Sequence, residues 1–181
     1  MAAAPAQLRV TFVGDKGVGK TALAMTCQGM VGWREPGAYM PAIQDGTATV
    51  GGRTVQLFDL PGDRADEGQN AVRRLGYTVG ACYLLCYHSP ATLQSLTWWR
   101  DDVAAALQAP QATSGGHGGP ASRRLHALVV RTRANSVPAW PGERDAVAAV
   151  ELGPAMLVDA MDGAGINALL RSAVTLLEQG G

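Results

Sequence analysis

Lysine is nearly absent from this chain: among 181 residues only Lys16 and Lys20 are lysine, and the remaining cations are arginine. Basic and acidic residues balance to a formal net charge of zero, so no net field favours nucleic acid or an anionic membrane surface. Cysteine is scarce as well. Cys27, Cys82 and Cys86 form neither a disulfide framework nor metal-ligand spacing. Two of them fall in an apolar run, which suits buried, reduced thiols in a cytoplasmic protein. His88, His117 and His126 are scattered and suggest no metal or catalytic cluster. The longest apolar stretch, around 81–87, is far too short to cross a bilayer. The start, Met1-Ala2-Ala3-Ala4-Pro5, has neither the charged n-region of a signal peptide nor the glycine that myristoylation requires.

The length and an apolar content of 47% fit one α/β domain over residues 1–181 with a full core. Apolar runs predict strands over 8–13, 47–50, 53–59, 81–87, 125–130 and 155–158. Helical patterns cover 21–30, 91–107, 143–152 and 166–177, with a weaker one over 69–75. Gly51-Gly52 between two strands reads as a two-residue hairpin turn. Most of the strands are apolar throughout rather than alternating, which points to a mostly parallel six-stranded sheet with helices on both faces. Residues 109–122 are Gly-rich and of low complexity, a mobile loop and not a domain boundary.

What the chain does have is a complete phosphate-binding signature: Gly14-Asp15-Lys16-Gly17-Val18-Gly19-Lys20-Thr21. A buried strand precedes it and a helix beginning Thr21-Ala22 follows, which is the context that separates a working GxxxxGK[ST] from an accidental match. Gly14 and Gly19 permit backbone geometry that turns successive N–H groups toward phosphate oxygens. The start of the following helix adds a positive dipole end at the same place. Lys20 suits the β- and γ-phosphates as a flexible point charge, and the Thr21 hydroxyl suits Mg²⁺. The expected ligand is a nucleoside di- or triphosphate with Mg²⁺.

The order of segments resembles the Ras-like small GTPases, with the Rho/Rac branch the best match. The phosphate loop is similar to the Rho-type GDGxVGKT. Pro36-Gly37-Ala38-Tyr39-Met40-Pro41-Ala42 is similar to the switch I segment PGEYxPT, and Leu57-Phe58-Asp59-Leu60-Pro61-Gly62 to the switch II opening LWDTAG. Arg74-Leu75-Gly76-Tyr77 resembles RPLSY, and Val130-Arg131-Thr132-Arg133-Ala134-Asn135 falls where that branch has VGTKxD. After Asn135 the match is one of pattern only. The resemblance implies a P-loop NTPase domain that binds GTP or GDP through Gly14–Ala22, Asp59, Gly62, Thr132, Arg133, Asn135, Asp159 and Ala160. It implies Mg²⁺ held by Thr21 and Asp59, and protein partners met through switch I (36–42) and switch II (59–75).

The departures from that family fall on the chemistry. Ala42 stands where switch I supplies a threonine that ligates Mg²⁺. Asp63 stands where a glutamine orients the attacking water; a carboxylate is repelled by the γ-phosphate and lacks the amide's donor. Lys16 replaces a glycine and crowds the space of that glutamine and of an incoming arginine finger, although its own charge could substitute for the finger. Asn135 replaces the aspartate that accepts two hydrogen bonds from guanine, a loss of about 1.5–3 kcal/mol and at least tenfold in selectivity. Arg133 stands for the lysine whose stem packs along the base, and Glu35 for an aromatic cap, with Trp33 two residues upstream. Asp159-Ala160 replaces Ser-Ala.

These departures, with the phosphate cradle spared, imply a guanine-nucleotide-binding switch that hydrolyses GTP slowly or not at all. The alternative is a pseudo-GTPase that works as a nucleotide-independent interaction scaffold. A small-molecule P-loop kinase or ATPase is a third class, for which no Arg-rich lid is visible. The end of the chain, Leu177-Glu178-Gln179-Gly180-Gly181, has no basic run and no prenylation cysteine, so this chain is expected to carry no membrane anchor of its own. Of the tryptophan pair Trp98-Trp99, one is expected in the core and the other half-exposed. Arg73-Arg74, Arg123-Arg124 and Asp101-Asp102 read as solvated.

Overall fold

The computed structural model describes residues 8–30, 44–109, 124–133, 135 and 137–179. The predicted switch I segment, with Ala42, and the positions of Trp33 and Glu35 lie outside the described residues, as does the loop 110–122.

Six strands form one mixed sheet: β1 (Leu8–Val13), β2 (Gln44–Val50), β3 (Arg53–Asp59), β4 (Cys82–Tyr87), β5 (Ala127–Arg131) and β6 (Met156–Leu157). Their spatial order is β2-β3-β1-β4-β5-β6. Only β2 runs antiparallel to its neighbour; β3, β1, β4, β5 and β6 are parallel. The β2–β3 hairpin turns at Gly51 and Gly52, with φ of 56° and 77°. Two consecutive positive φ values define a type I′ turn, whose twist matches that of the strands and which other residues adopt only at a cost.

β1 and β4 lie in the middle of the sheet, and every residue of β4 is buried. Alternate side chains therefore feed two separate cores. Cys82, Leu84 and Cys86 join Val10 and Phe12 beneath helices α1 (Lys20–Cys27) and α6 (Ile166–Gln179). Tyr83, Leu85 and Tyr87 pack on the other face, against α2 (Glu67–Val79), α3 (Pro90–Gln94), α4 (Leu96–Gln108) and α5 (Glu143–Ala148). This two-sided burial is why these strands read as continuous apolar runs. Each fully buried Leu, Val or Phe side chain contributes about 1.5–3 kcal/mol.

Several element bounds differ from the sequence reading. The single helix expected over 91–107 is two, meeting at Ser95. Ser89 and Thr92 form a reciprocal capping box with Pro90 in the first turn, so α3 starts firmly. α5 stops at Ala148 rather than near 152, and β6 has only two residues, paired through Val130–Met156 and Arg131–Leu157. α2 is longer than expected because Asp66 caps it, accepting the Gln69 N–H. Among the described residues no helix is long and apolar enough to cross a membrane.

Candidate functional site at the carboxyl edge of the sheet

Because five strands are parallel, their carboxyl ends share one edge, where ligands bind in open α/β sheets. That edge gathers the Gly14–Thr21 loop after β1, Asp59 at the end of β3, Thr132 after β5 and Asp159 after β6. Residues far apart in sequence, which the resemblance assigned to one site, are thus brought to one edge.

The loop itself is strongly curved. Gly17 and Gly19 have φ of 82° and 92°, and Gly19 precedes α1 with no side-chain cap and no acidic residue in the first turn. An uncapped, acid-free helix start suits an anion. Lys20 is buried, and its ammonium donates to the carbonyls of Gly14 (2.8 Å) and Asp15 (2.9 Å). One positive charge is therefore held inside the curve of the loop. Beside it the Thr21 hydroxyl donates to Asp59 Oδ2 at 2.5 Å, placing a hydroxyl and a carboxylate side by side. Two hard oxygen donors of this kind suit Mg²⁺, which takes one or two protein ligands and completes its shell with phosphate and water. The residues present fit the group.

The segment after β3 closes on the loop. Gly62 accepts the Lys16 N–H at 3.0 Å, and a Cβ at Gly62 would fall 2.5 Å from both Lys16 N and Lys20 Nζ. Only glycine permits this approach. Asp63 Oδ1 accepts the Ala65 N–H at 3.1 Å, and Asp63 Oδ2 lies 4.0 Å from Lys16 Nζ. Lys16 and Asp63 therefore face each other across the loop. The pair is half-exposed and contributes under about 1 kcal/mol to stability.

At the other end, Thr132 Oγ1 donates to Val18 O (2.5 Å), and Arg133 Nη2 donates to Gly17 O (3.3 Å). The stem of Arg133 thus runs toward the loop, with its backbone in the left-handed region at φ 56°. Asn135 donates its N–H to Asp159 Oδ2 (3.1 Å), and its amide nitrogen donates to Asp162 Oδ2 (2.6 Å). Asp159 is buried; its other oxygen accepts the Met161 N–H at 2.9 Å. Ala160 contributes its carbonyl, accepting the Thr26 hydroxyl at 2.9 Å.

Three contributors were missed by sequence reasoning: Trp99, Arg73 and Asp162. Asp15 Oδ1 accepts the indole N–H of the fully buried Trp99 (2.9 Å) and lies 3.3 Å from Arg64 Nε. Nothing local signals a contact across 84 residues. Arg73, expected to be solvated, is 2% exposed. It donates to Asp63 O at 2.8 Å, bonds Asn70, and stacks 5.3 Å from the Trp99 ring centroid. Here the signal was available: Gln69, Arg73, Gly76 and Tyr77 fall at helical spacing on the buried face of α2, whereas Arg74 is exposed. Asp102, also expected to be solvated, accepts the Tyr77 hydroxyl at 3.1 Å. Asp162 is the third contributor to the site. The tryptophans divide as expected, with Trp99 buried and Trp98 40% exposed.

A separate cavity of about 750 Å³ lies between α5 and β6, walled by Tyr87, Arg131, Trp140, Val147 and Leu157. Within it Arg131 lies 3.0 Å from Glu143, which also accepts the Tyr87 hydroxyl at 2.8 Å. This network braces the sheet edge. No protein-family model and no curated protein sequence matches the chain.

Proposed function

We propose that this chain is a guanine-nucleotide-binding switch domain of the small-GTPase type, with GTP hydrolysis slow or absent. The observation that carries the reading is the seat of Lys20 inside the Gly14–Thr21 curve, with Thr21 and Asp59 paired at 2.5 Å beside it. A buried cation, an uncapped helix start and a hydroxyl–carboxylate pair are the parts a Mg²⁺-bound polyphosphate needs. Bound Mg²⁺ would neutralise phosphate charge, with Thr21 and Asp59 as its protein contacts. Slow hydrolysis follows from Asp63, which offers a carboxylate where an attacking water needs orienting and is itself turned toward Lys16.

Releasing nucleotide from the purified chain with denaturant and identifying it by chromatography tests this. GTP supports both parts of the reading, whereas GDP alone, formed by turnover at rates near those of intact small GTPases, removes the slow-hydrolysis part. A chain that holds no nucleotide and gains no thermal stability from Mg-GTP or Mg-GDP removes the whole.

One observation favours a second reading, the nucleotide-independent scaffold. The Gly62 carbonyl accepts the Lys16 N–H, so the loop and the segment after β3 are tied to each other directly through the backbone. Under that reading, changing Lys20 alters stability but no binding isotherm.

A further inference from the structure

Resting on the reading that the carboxyl edge holds a guanine nucleotide, we propose that Asp162 is a specificity-determining residue. It supplies, together with Asn135, the acceptors that a single aspartate would otherwise present to the guanine N1–H and exocyclic amine. Asn135 alone carries one acceptor and a competing donor group. In the structure that donor group is turned aside, since the amide nitrogen is bonded to Asp162 Oδ2 at 2.6 Å. The bond fixes the orientation of the amide and commits one of its two N–H groups, leaving the oxygen and the second N–H for Asn135 to present. It also brings a carboxylate within one hydrogen bond of that oxygen's amide.

Asp162 is placed rigidly and remains accessible. Its Oδ1 accepts the Ala164 N–H at 2.8 Å, pinning the carboxylate within its own turn, while the residue is exposed to solvent. Asp159 cannot do the same task. Both carboxylates accept two hydrogen bonds, but Asp159 is 1% exposed, so its oxygens, bonded to the backbone N–H groups of Asn135 and Met161, are closed to a ligand. Asp159 therefore sets the distance between the Asn135 segment and the 159–165 turn, and Asp162 faces outward from that turn. Arg133, anchored on Gly17 O at 3.3 Å, ties the same segment to the phosphate loop. The pair presents acceptors to a ligand edge that carries two adjacent donors, as guanine does. Adenine places an acceptor ring nitrogen beside its amine and can meet only the remaining Asn135 N–H and one acceptor, whereas guanine's two donors match both acceptors.

The test is an affinity comparison of Mg-GDP, Mg-IDP and Mg-ADP on the whole chain, by calorimetry or a fluorescent-nucleotide competition. Asp162→Asn keeps the oxygen that holds Ala164 while removing the charge and one acceptor. The expected result is a loss of ten-fold or more for Mg-GDP, with Mg-ADP unchanged and the GDP-over-IDP preference reduced. The double variant Asn135→Asp with Asp162→Asn exchanges the two groups, and it is expected to recover Mg-GDP affinity to within a few-fold of the parent. Unchanged GDP/ADP and GDP/IDP ratios in Asp162→Asn, in a chain that melts like the parent without ligand, overturn the proposal and leave the nucleotide reading standing. A parent chain that binds Mg-ADP as well as Mg-GDP overturns guanine selectivity itself. A parent chain that binds none of the three overturns the underlying reading.

Discussion

The contact between Trp99 and Asp15 joins α4 to the phosphate loop, and its worth can be worked from the geometry. The indole N–H meets a carboxylate oxygen at 2.9 Å, the ring is fully buried, and the Asp15 side chain is 18% exposed. A hydrogen bond to a charged group in such a setting contributes about 1.5–3 kcal/mol. Trp99→Phe removes that bond and trims a ring that packs edge-on against Trp98, with centroids 4.8 Å apart, a contact worth about 0.5–1.5 kcal/mol. The single variant is therefore expected to lose roughly 2–4 kcal/mol. Much of that loss is packing, so the single value alone proves nothing about Asp15. A double-mutant cycle with Asp15→Ala isolates the bond, because the lost packing and the lost Arg64 contact each appear on both sides of the cycle. Guanidinium unfolding of the four proteins at constant m-value gives the coupling directly. A coupling of about 1.5–3 kcal/mol is expected; one below about 0.5 kcal/mol refutes the link between loop and helix.

Lys20→Met keeps the apolar stem and removes the ammonium, and it is expected to weaken Mg-GDP binding about 10- to 100-fold by titration; equal affinity in a folded variant contradicts the proposed role. Lys16→Gly combined with Asp63→Gln is expected to raise single-turnover GTP hydrolysis at least about ten-fold, since both obstacles to a positioned water are removed; an unchanged rate places the block elsewhere. Burial pushes the Cys27, Cys82 and Cys86 thiols up from 9.0 to about 12. Between those values the unfolded chain releases protons that the folded chain retains, so stability falls as pH rises above about 9, by roughly 1 kcal/mol per pH unit for each thiol. Unfolding midpoints measured from pH 8 to 11 check this, and a flat profile refutes it. A thiol reagent at pH 8 is expected to label all three only after denaturation.

How much of this was legible in the sequence depends on how far apart the partners lie along the chain. The Gly14–Thr21 loop is a local object: eight consecutive residues, with a strand before and a helix after where the pattern puts them. The Gly51-Gly52 turn is local in the same way. Strand order was not readable: the continuous apolar runs pointed to a sheet covered on both faces, and only the pairing places β1 and β4 at its centre. The bounds of β6 were not readable, because a two-residue edge strand is set by its neighbour's register and not by its own pattern. Arg73 was misread for a different reason. Its charge outweighed its helical phase, although a planar guanidinium stacked on Trp99 and donating to Asp63 O is well suited to burial.

The departures themselves become intelligible only in three dimensions, because the structure couples them. Lys16 lies 4.0 Å from Asp63, and Asn135 is bonded to Asp162 at 2.6 Å. Read singly along the chain, each departure subtracts a function: a crowded loop, a misplaced carboxylate, a weakened base contact. Read in pairs, each charge or amide introduced at one position meets a complementary group at another. A carboxylate at 63 without a cation at 16 would face the phosphates alone, and an amide at 135 without a carboxylate at 162 would turn a donor toward the base edge. The two contacts span 47 and 27 residues of sequence. On the proposed reading, the pairing favours a ligand site altered in its chemistry over one merely abandoned. It also predicts that reverting either member of a pair by itself harms binding more than reverting both.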